Sequence, residues 1–228
     1  MRYTEEQYKA QFEETDPVGW EVIDEALLKV YPEQEPRHYG PILKYMLGGE
    51  DPLDGISIYD NHEQTFHRHI VSYGMSELYY SPESAENEFS GWGFEFTFRV
   101  VPFEKDKDSD GAKNEPYWAM NVMQNLARYV FESKKWFEAY HFIPANGPIR
   151  LECDTKLVGI AFAPDPQLGT IETPNGEVAF LQMVGITQKE LDWLYEDPTT
   201  DRVEELINKM REDNPLLITD LKREKSYV

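Results

Sequence analysis

GWGFEFTFRVV, residues 91–101, decides the fold. Aromatic and polar side chains alternate along it with a period of two, the period of an extended strand. Trp92, Phe94, Phe96, Phe98 and Val100 share one face, and Gly93, Glu95, Thr97, Arg99 and Val101 share the other. Large apolar groups on one side and charges on the other predict a strand with one face on a core and its second face half open.

Toward the N-terminus, Phe66–Tyr73 alternates in the same way and predicts a second strand, with His67, His69, Val71 and Tyr73 on one face. GISIY (55–59) predicts a third strand, and the apolar run PILKYML, between His38 and Leu47, predicts a fourth, stopped by Gly48-Gly49. SELYY (76–80) reads as a short turn or helix, and SPESAENEFS as an acidic loop. Further back, Asp16 as N-cap and Pro17 as first helical residue open a helix with Trp20, Ile23, Leu27 and Val30 on its core face. Tyr3, Tyr8 and Phe12 suit a short helix within residues 1–14.

Toward the C-terminus, Pro116 opens a helix running to about Trp136 with a stripe of Trp118, Val122, Leu126 and Tyr129. NGP (146–148) is a turn and LVGIAFA (157–163) a buried strand. TPNGEVAFLQMVGI is a hairpin turning at Asn175-Gly176. Thr187 and Glu190 form a capping box, a last helix carries Val203, Leu206, Ile207 and Met210, and LLITD (216–220) reads as a final strand. The order of elements predicts an α+β fold, a mixed but mainly antiparallel sheet packed with helices. Residues 1–228 read as one domain, with 1–15 as a flexible or helical N-terminal extension.

The composition narrows function. With 40% apolar and 14% aromatic residues the 228-residue chain can build a substantial core. Its 22 basic and 43 acidic residues give a net charge of −21, which repels nucleic acid and anionic membranes and favours a basic partner protein. No apolar run approaches the roughly 18–20 residues of a membrane span. The start has no secretory signal and the lone Cys153 has no disulfide partner, so a cytoplasmic protein is expected, with Cys153 a small buried hydrophobe.

Candidate chemistry is sparse. His67 and His69 point two imidazoles to one side of a strand, as some metal sites do, with Asp54, Asp60, His62 or Glu95 as third ligands. The spacing requires none of these, and packed strand histidines are the commoner case. DKDSDG (106–111) opens like a calcium loop, but Tyr117 stands where its closing Glu belongs, so a solvated acidic loop reads better. Nucleophile-elbow, P-loop and dinucleotide motifs are absent. No enzyme and no cofactor are expected; the competing reading is a metal-dependent hydrolase using His67 and His69 with nearby carboxylates.

WEVIDEALLKVYPEQEPRHYG, KYMLGGEDPLDGISIY, HRHIVSYGMSELY, SGWGFEFTFRV, LARYVFESKKWF, TPNGEVAFLQMVGIT and LLITDLKR succeed one another from about Pro17 to Arg223. In this order they resemble the Suppressor of fused (SUFU) domain family. The resemblance implies a binding protein. Animal members restrain Gli/Ci transcription factors, clasping a peptide strand between this domain and a second one. Bacterial members are mostly single-domain, and many resemble immunity proteins that neutralise a toxin. The chain ends nine residues after Thr219, which favours the bacterial single-domain type, with a basic toxin such as a nuclease, or a peptide strand, as partner. The resemblance places docking at His69, Ile70, Tyr73, Glu77, Tyr79 and Tyr80. It marks Asp51, Pro52, Leu53, Asp54, His67, Gly74, Ser76, Gly91, Gly93, Glu95 and Arg99 as signature residues serving fold or binding. Where animal members carry an aromatic between the two histidines this chain has Arg68, which predicts that the second face of that strand is not a closed core.

Overall fold

The computed structural model describes residues 3–103 and 115–228. In chain order its elements are α1 (Glu5–Gln11), α2 (Val18–Val30), β1 (Arg37–Tyr39), β2 (Gly55–Asn61), β3 (His67–Tyr73), β4 (Phe89–Val100), α3 (Tyr117–Ser133), β5 (Phe142–Pro144), β6 (Leu157–Pro164), β7 (Thr170–Thr173), β8 (Gly176–Thr187), α4 (Gln188–Glu196) and α5 (Thr200–Arg211). The strands form one sheet in the order β1-β2-β3-β4-β8-β6-β5, with β7 also on β8. All pairs are antiparallel except β4–β8. The fold is α+β with a mixed, mainly antiparallel sheet, as the pattern predicts.

Both faces of the sheet are covered. Phe94, Phe96, Phe98 and Ile70 pack under α3 through Ala119, Met123, Ala127 and Val130. Burying each large side chain is worth about 1.5–3 kcal/mol, so this layer carries much of the folding energy. On the opposite face α2 lays Ile23 and Leu27 against Tyr59, Val71 and Tyr73, while α4 and α5 cover Ala161, Ala163, Val184 and Ile186. The β7–β8 hairpin turns one residue earlier than the pattern predicts, at Pro174-Asn175 with Thr173 facing Gly176 at its base, and the capping box closes with Glu190 N donating to Thr187 Oγ1 and Thr187 N donating to Glu190 Oε2.

Several expectations need correction. The second face of β4 is not half open: Glu95, Thr97 and Arg99 are fully buried there. Nor does Arg68 open the second face of β3, because it sits at the strand's start against Asp60 while Ile70, next on that face, is fully enclosed. Of the 38–47 region only His38 and Tyr39 are strand, as the end of β1. Pro41 has no amide proton to extend the ladder, and Tyr45–Leu47 coils into a 3₁₀ turn with Gly49 N donating to Lys44 O. LLITD forms no strand; Thr219 makes an isolated parallel bridge to Val100. Residues 76–80 are loop, and a 3₁₀ turn comes after them at Pro82–Ser84. Pro17, without a side-chain cap, occupies the N-cap of α2, and Asp16 instead accepts from Glu13 N. Cys153 is half-buried. The calcium-like loop 106–111 lies outside the described residues.

Candidate docking surface and its buried support

β3 and β4 turn five of the notable polar residues inward, and the structure pairs them. Arg99 donates from Nη2 to both carboxylate oxygens of Asp165 at 3.0 and 3.1 Å, and from Nε to Gln182 Oε1 at 3.1 Å. Thr97 Oγ1 adds a bond to Asp165 at 2.9 Å, and the backbone amides of Gln167 and Leu168 two more. Burial pushes the Asp165 carboxyl up, but His69, Arg99 and these donors outweigh it and hold it well below the usual carboxylate range.

The two histidines are spoken for. His67 Nδ1 donates to Thr65 O at 2.8 Å, leaving Nε2 to face Arg99 Nη1 at 3.4 Å. The Tyr31 hydroxyl accepts from Asn61 at 3.0 Å, and because His69 Nε2 faces the Asp165 carboxylate the ring proton belongs there, which leaves Nδ1 to accept from the Tyr31 hydroxyl at 2.8 Å. The remaining His69 nitrogen, Nε2, then carries the ring proton and faces Asp165 at 3.2 Å without the alignment of a hydrogen bond. Burial, then the Arg99 charge, lowers both imidazoles to about 4, so they are neutral at physiological pH. With the one lone pair of each ring engaged, the pair has none left for a metal. Among the described residues no group of three or more His, Cys, Asp or Glu converges as a metal site. Of the candidate third ligands, Asp60 binds Arg37 and Arg68, and Glu95 is enclosed elsewhere. The metal-hydrolase alternative has no support here.

Glu95 anchors the loop after β3. It accepts from Ser72 Oγ, Gly74 N, Ser76 N and Ser76 Oγ at 2.5–2.9 Å, and burial pushes its carboxyl up. Gly74 takes φ +128°, and a Cβ there would lie 2.8 Å from Asp54 N; Gly91 takes φ +55°, with a Cβ 2.7 Å from Met75 O. Both positions require glycine on two counts. The turn DPLD (51–54) is pinned to α3, since Leu53 exchanges two bonds with the Gln124 amide and Asp51 pairs with Arg128. These signature residues thus build a support, and Gly93 serves the irregular start of β4.

On that support lies a groove of about 310 Å³, lined by Tyr45, Met46, Pro52, Glu77, Tyr79 and Phe131 among others. Beside it stand Ile42, Leu43, Met46 and Leu47, all exposed, with Ile42 fully so. Lys44 ties this segment to the loop by a hydrogen bond to the Tyr79 hydroxyl, its ammonium 4.7 Å from the Tyr79 ring centre. Of the six residues expected at a docking face, Glu77, Tyr79 and Tyr80 are half-buried and reachable, Tyr80 resting on Tyr8. His69, Ile70 and Tyr73 are enclosed, so as side chains they offer no surface; Tyr73 stacks on Trp20 and donates to Asp24. The apolar strip 42–47 was absent from that expectation, because an apolar run reads equally well as a buried strand.

This geometry defines an α+β domain whose polar centre is structural and whose reactive-looking histidines are buried. The sequence model of the Suppressor of fused protein (SUFU) matches residues 49–224. The chain is 34% identical over 207 residues to the Suppressor of fused homologs of Homo sapiens and Mus musculus, which covers 86% of this chain and 41% of each of them. It therefore spans about two-fifths of the length of these curated relatives. The chain belongs to the Suppressor of fused protein family. Among solved structures, the Sufu–Fu complex matches with a TM-score of 0.80 at 33% identity, covering 92% of this chain and 93% of that one. Drosophila Suppressor of Fused matches at 0.79 and 32%, covering 92% and 51%. A SUFU homolog from Neisseria gonorrhoeae FA 1090 shares the fold at 0.60 and 17%, covering 92% and 97%. No helix among the described residues is long and apolar enough to cross a membrane.

Proposed function

We propose that this chain works by docking a partner protein, on the face formed by residues 42–47 and the Glu77–Tyr80 loop. The observation that carries this reading is the row of exposed apolar side chains at Ile42, Leu43, Met46 and Leu47, set beside a groove on a rigid support. Contiguous apolar exposure rimmed by polar residues is the mark of an interaction site. The relative solved as a Sufu–Fu complex supports protein binding as the mode of action. β1, directly before the strip, is an edge strand of three residues, which leaves a sheet edge to which a partner strand can add.

The charge of −21 supports a basic partner, steered in by the field and masked once bound. The finer reading is an immunity-type cytoplasmic protein that neutralises a basic toxin such as a nuclease. Co-expression with basic nuclease toxins of the same genome, scored by growth and co-purification at low and high salt, tests it. Rescue by the wild type and its loss in Ile42→Ser/Met46→Ser is the expected result. Rescue indifferent to the double variant would remove this face, and affinity indifferent to salt would remove the charge steering.

A further inference from the structure

A second cavity, of about 560 Å³, lies over the parallel β4–β8 pair on the α3 side of the sheet. It exists because the two strands fall out of step: Phe89 pairs with Glu177 and Phe94 with Ala179, so four residues of β4 stand against Val178 alone. Ser90–Gly93 detour away, with Trp92 N donating to Met75 O, and leave the small side chain of Ala179 as floor. The walls are Phe94, Trp92, Trp136 and Phe137, and Phe89 and Trp136 are each 52% exposed at its mouth.

One end of this apolar cavity is acidic. Glu177 lines it, and Glu172 stands directly opposite Glu177 across the β7–β8 ladder, on the same face of the sheet. Like charges set opposite one another repel, and neither carboxylate has an ion pair among the described residues. Lys134 stands outside the cavity lining, its ammonium 5.7 Å from the centre of the Trp92 ring. A cavity of this size takes one large apolar side chain with room for neighbouring atoms. The uncompensated glutamates select for basic residues adjoining that side chain in the partner's sequence.

We infer that this cavity receives an apolar anchor side chain of a partner segment whose next residues are Lys or Arg, held by Glu172 and Glu177. The inference rests on the protein-docking reading above and adds a second, separate contact, with Trp92 lining both this cavity and the Tyr79 groove. The anchor supplies desolvated contact area and the base relieves the Glu172–Glu177 repulsion, the usual division between a buried anchor and a charged rim.

Amide NMR of the full chain tests this with three probes: acetyl-Trp-Lys-Lys-amide, acetyl-Ser-Lys-Lys-amide and acetyl-Trp-Glu-Glu-amide. Only the first is expected to give saturable shifts centred on Phe94, Ala179 and Thr170. Ala179→Met, which fills the floor, should weaken it about tenfold, the equivalent of one anchor contact. Glu172→Gln/Glu177→Gln should weaken it severalfold and abolish its salt dependence, and this surface pair answers the question even if Ala179→Met proves unstable to heat. Equal binding of the Glu peptide, or no effect of the Gln pair, overturns the inference. Shifts confined to Tyr45–Tyr79 would overturn it while leaving the first docking face standing. Saturable shifts at Ala179 with toxin rescue unaffected by Ile42→Ser/Met46→Ser would do the reverse.

Discussion

The layer between β3, β4 and Asp165 and the strip 42–47 invert the usual distribution of residues. In the first, a guanidinium, a carboxylate and two imidazoles lie in the interior; in the second, a run of large hydrophobic side chains stands in water. Burying charge is costly unless every group is paired, and here nearly every one is, so the layer fixes which strands meet and in what register. The strip makes no such contribution, since side chains that touch little can be changed without disturbing the core. If partners dock as proposed above, stability and recognition are held by different residues only a strand or two apart.

Variants that confuse the two regions provide the tests. Removing Arg99 should have the largest effect: Arg99→Ala leaves Asp165 buried and unpaired, for a loss of about 3–5 kcal/mol in denaturant unfolding. A loss under about 1 kcal/mol would mean that the layer is not dry.

Acid should come next. The folded imidazoles titrate near 4 against an ordinary 6.5, so the unfolded chain binds more protons between those values. Their contribution is complete above about pH 6.5 and is lost as pH falls toward 4, at about 2 kcal/mol from each ring near pH 5. Urea midpoints measured from neutral pH downward should therefore fall through this window. A flat profile above pH 4 would show that the rings are not buried neutral.

Glu95→Ala should cost less, about 1–3 kcal/mol, by leaving the Gly74 and Ser76 amides without an acceptor. Its loop should also exchange amide protons faster than β3 does. Ile42→Ser/Met46→Ser should change stability least, within about 0.5 kcal/mol, while weakening partner capture by tenfold or more. A melting temperature that drops together with binding would place the strip in the core after all.

The parts of this fold that could be read from the sequence are those governed by neighbours in the chain. The β4 alternation, the β7–β8 hairpin to within one residue of its turn, the Thr187–Glu190 capping box and the α3 helix all depend on residues a few positions apart, although the face α3 buries runs through Ala119, Met123 and Val130 while Tyr129 of the expected stripe is exposed. The errors arise where the deciding partner is remote. Glu95, Thr97 and Arg99 read as a half-open face because their polarity is visible locally, whereas Asp165 and Gln182 lie 66 and 83 residues from Arg99. The 38–47 run is apolar enough for a strand, but only the fold shows that no neighbouring strand meets it beyond Tyr39. Of the candidate site, Glu77, Tyr79 and Tyr80 came from resemblance. The exposure of Ile42, Phe89 and Trp136 has no signal in a single sequence, since exposed and buried hydrophobic residues are spelled alike.

The parallel pairing of β4 with β8 also sets when this molecule can form. Val100 and Gly176, the end of one strand and the start of the other, are separated by α3, two further strands and β7, so the centre of the sheet closes only after most of the chain has been made. Long-range pairing of this kind slows folding and leaves the Phe94–Phe98 edge open on a growing chain. During synthesis, then, the strand richest in aromatic residues waits longest for its neighbour, and a chaperone or a slow ribosome should affect yield more than any surface substitution does.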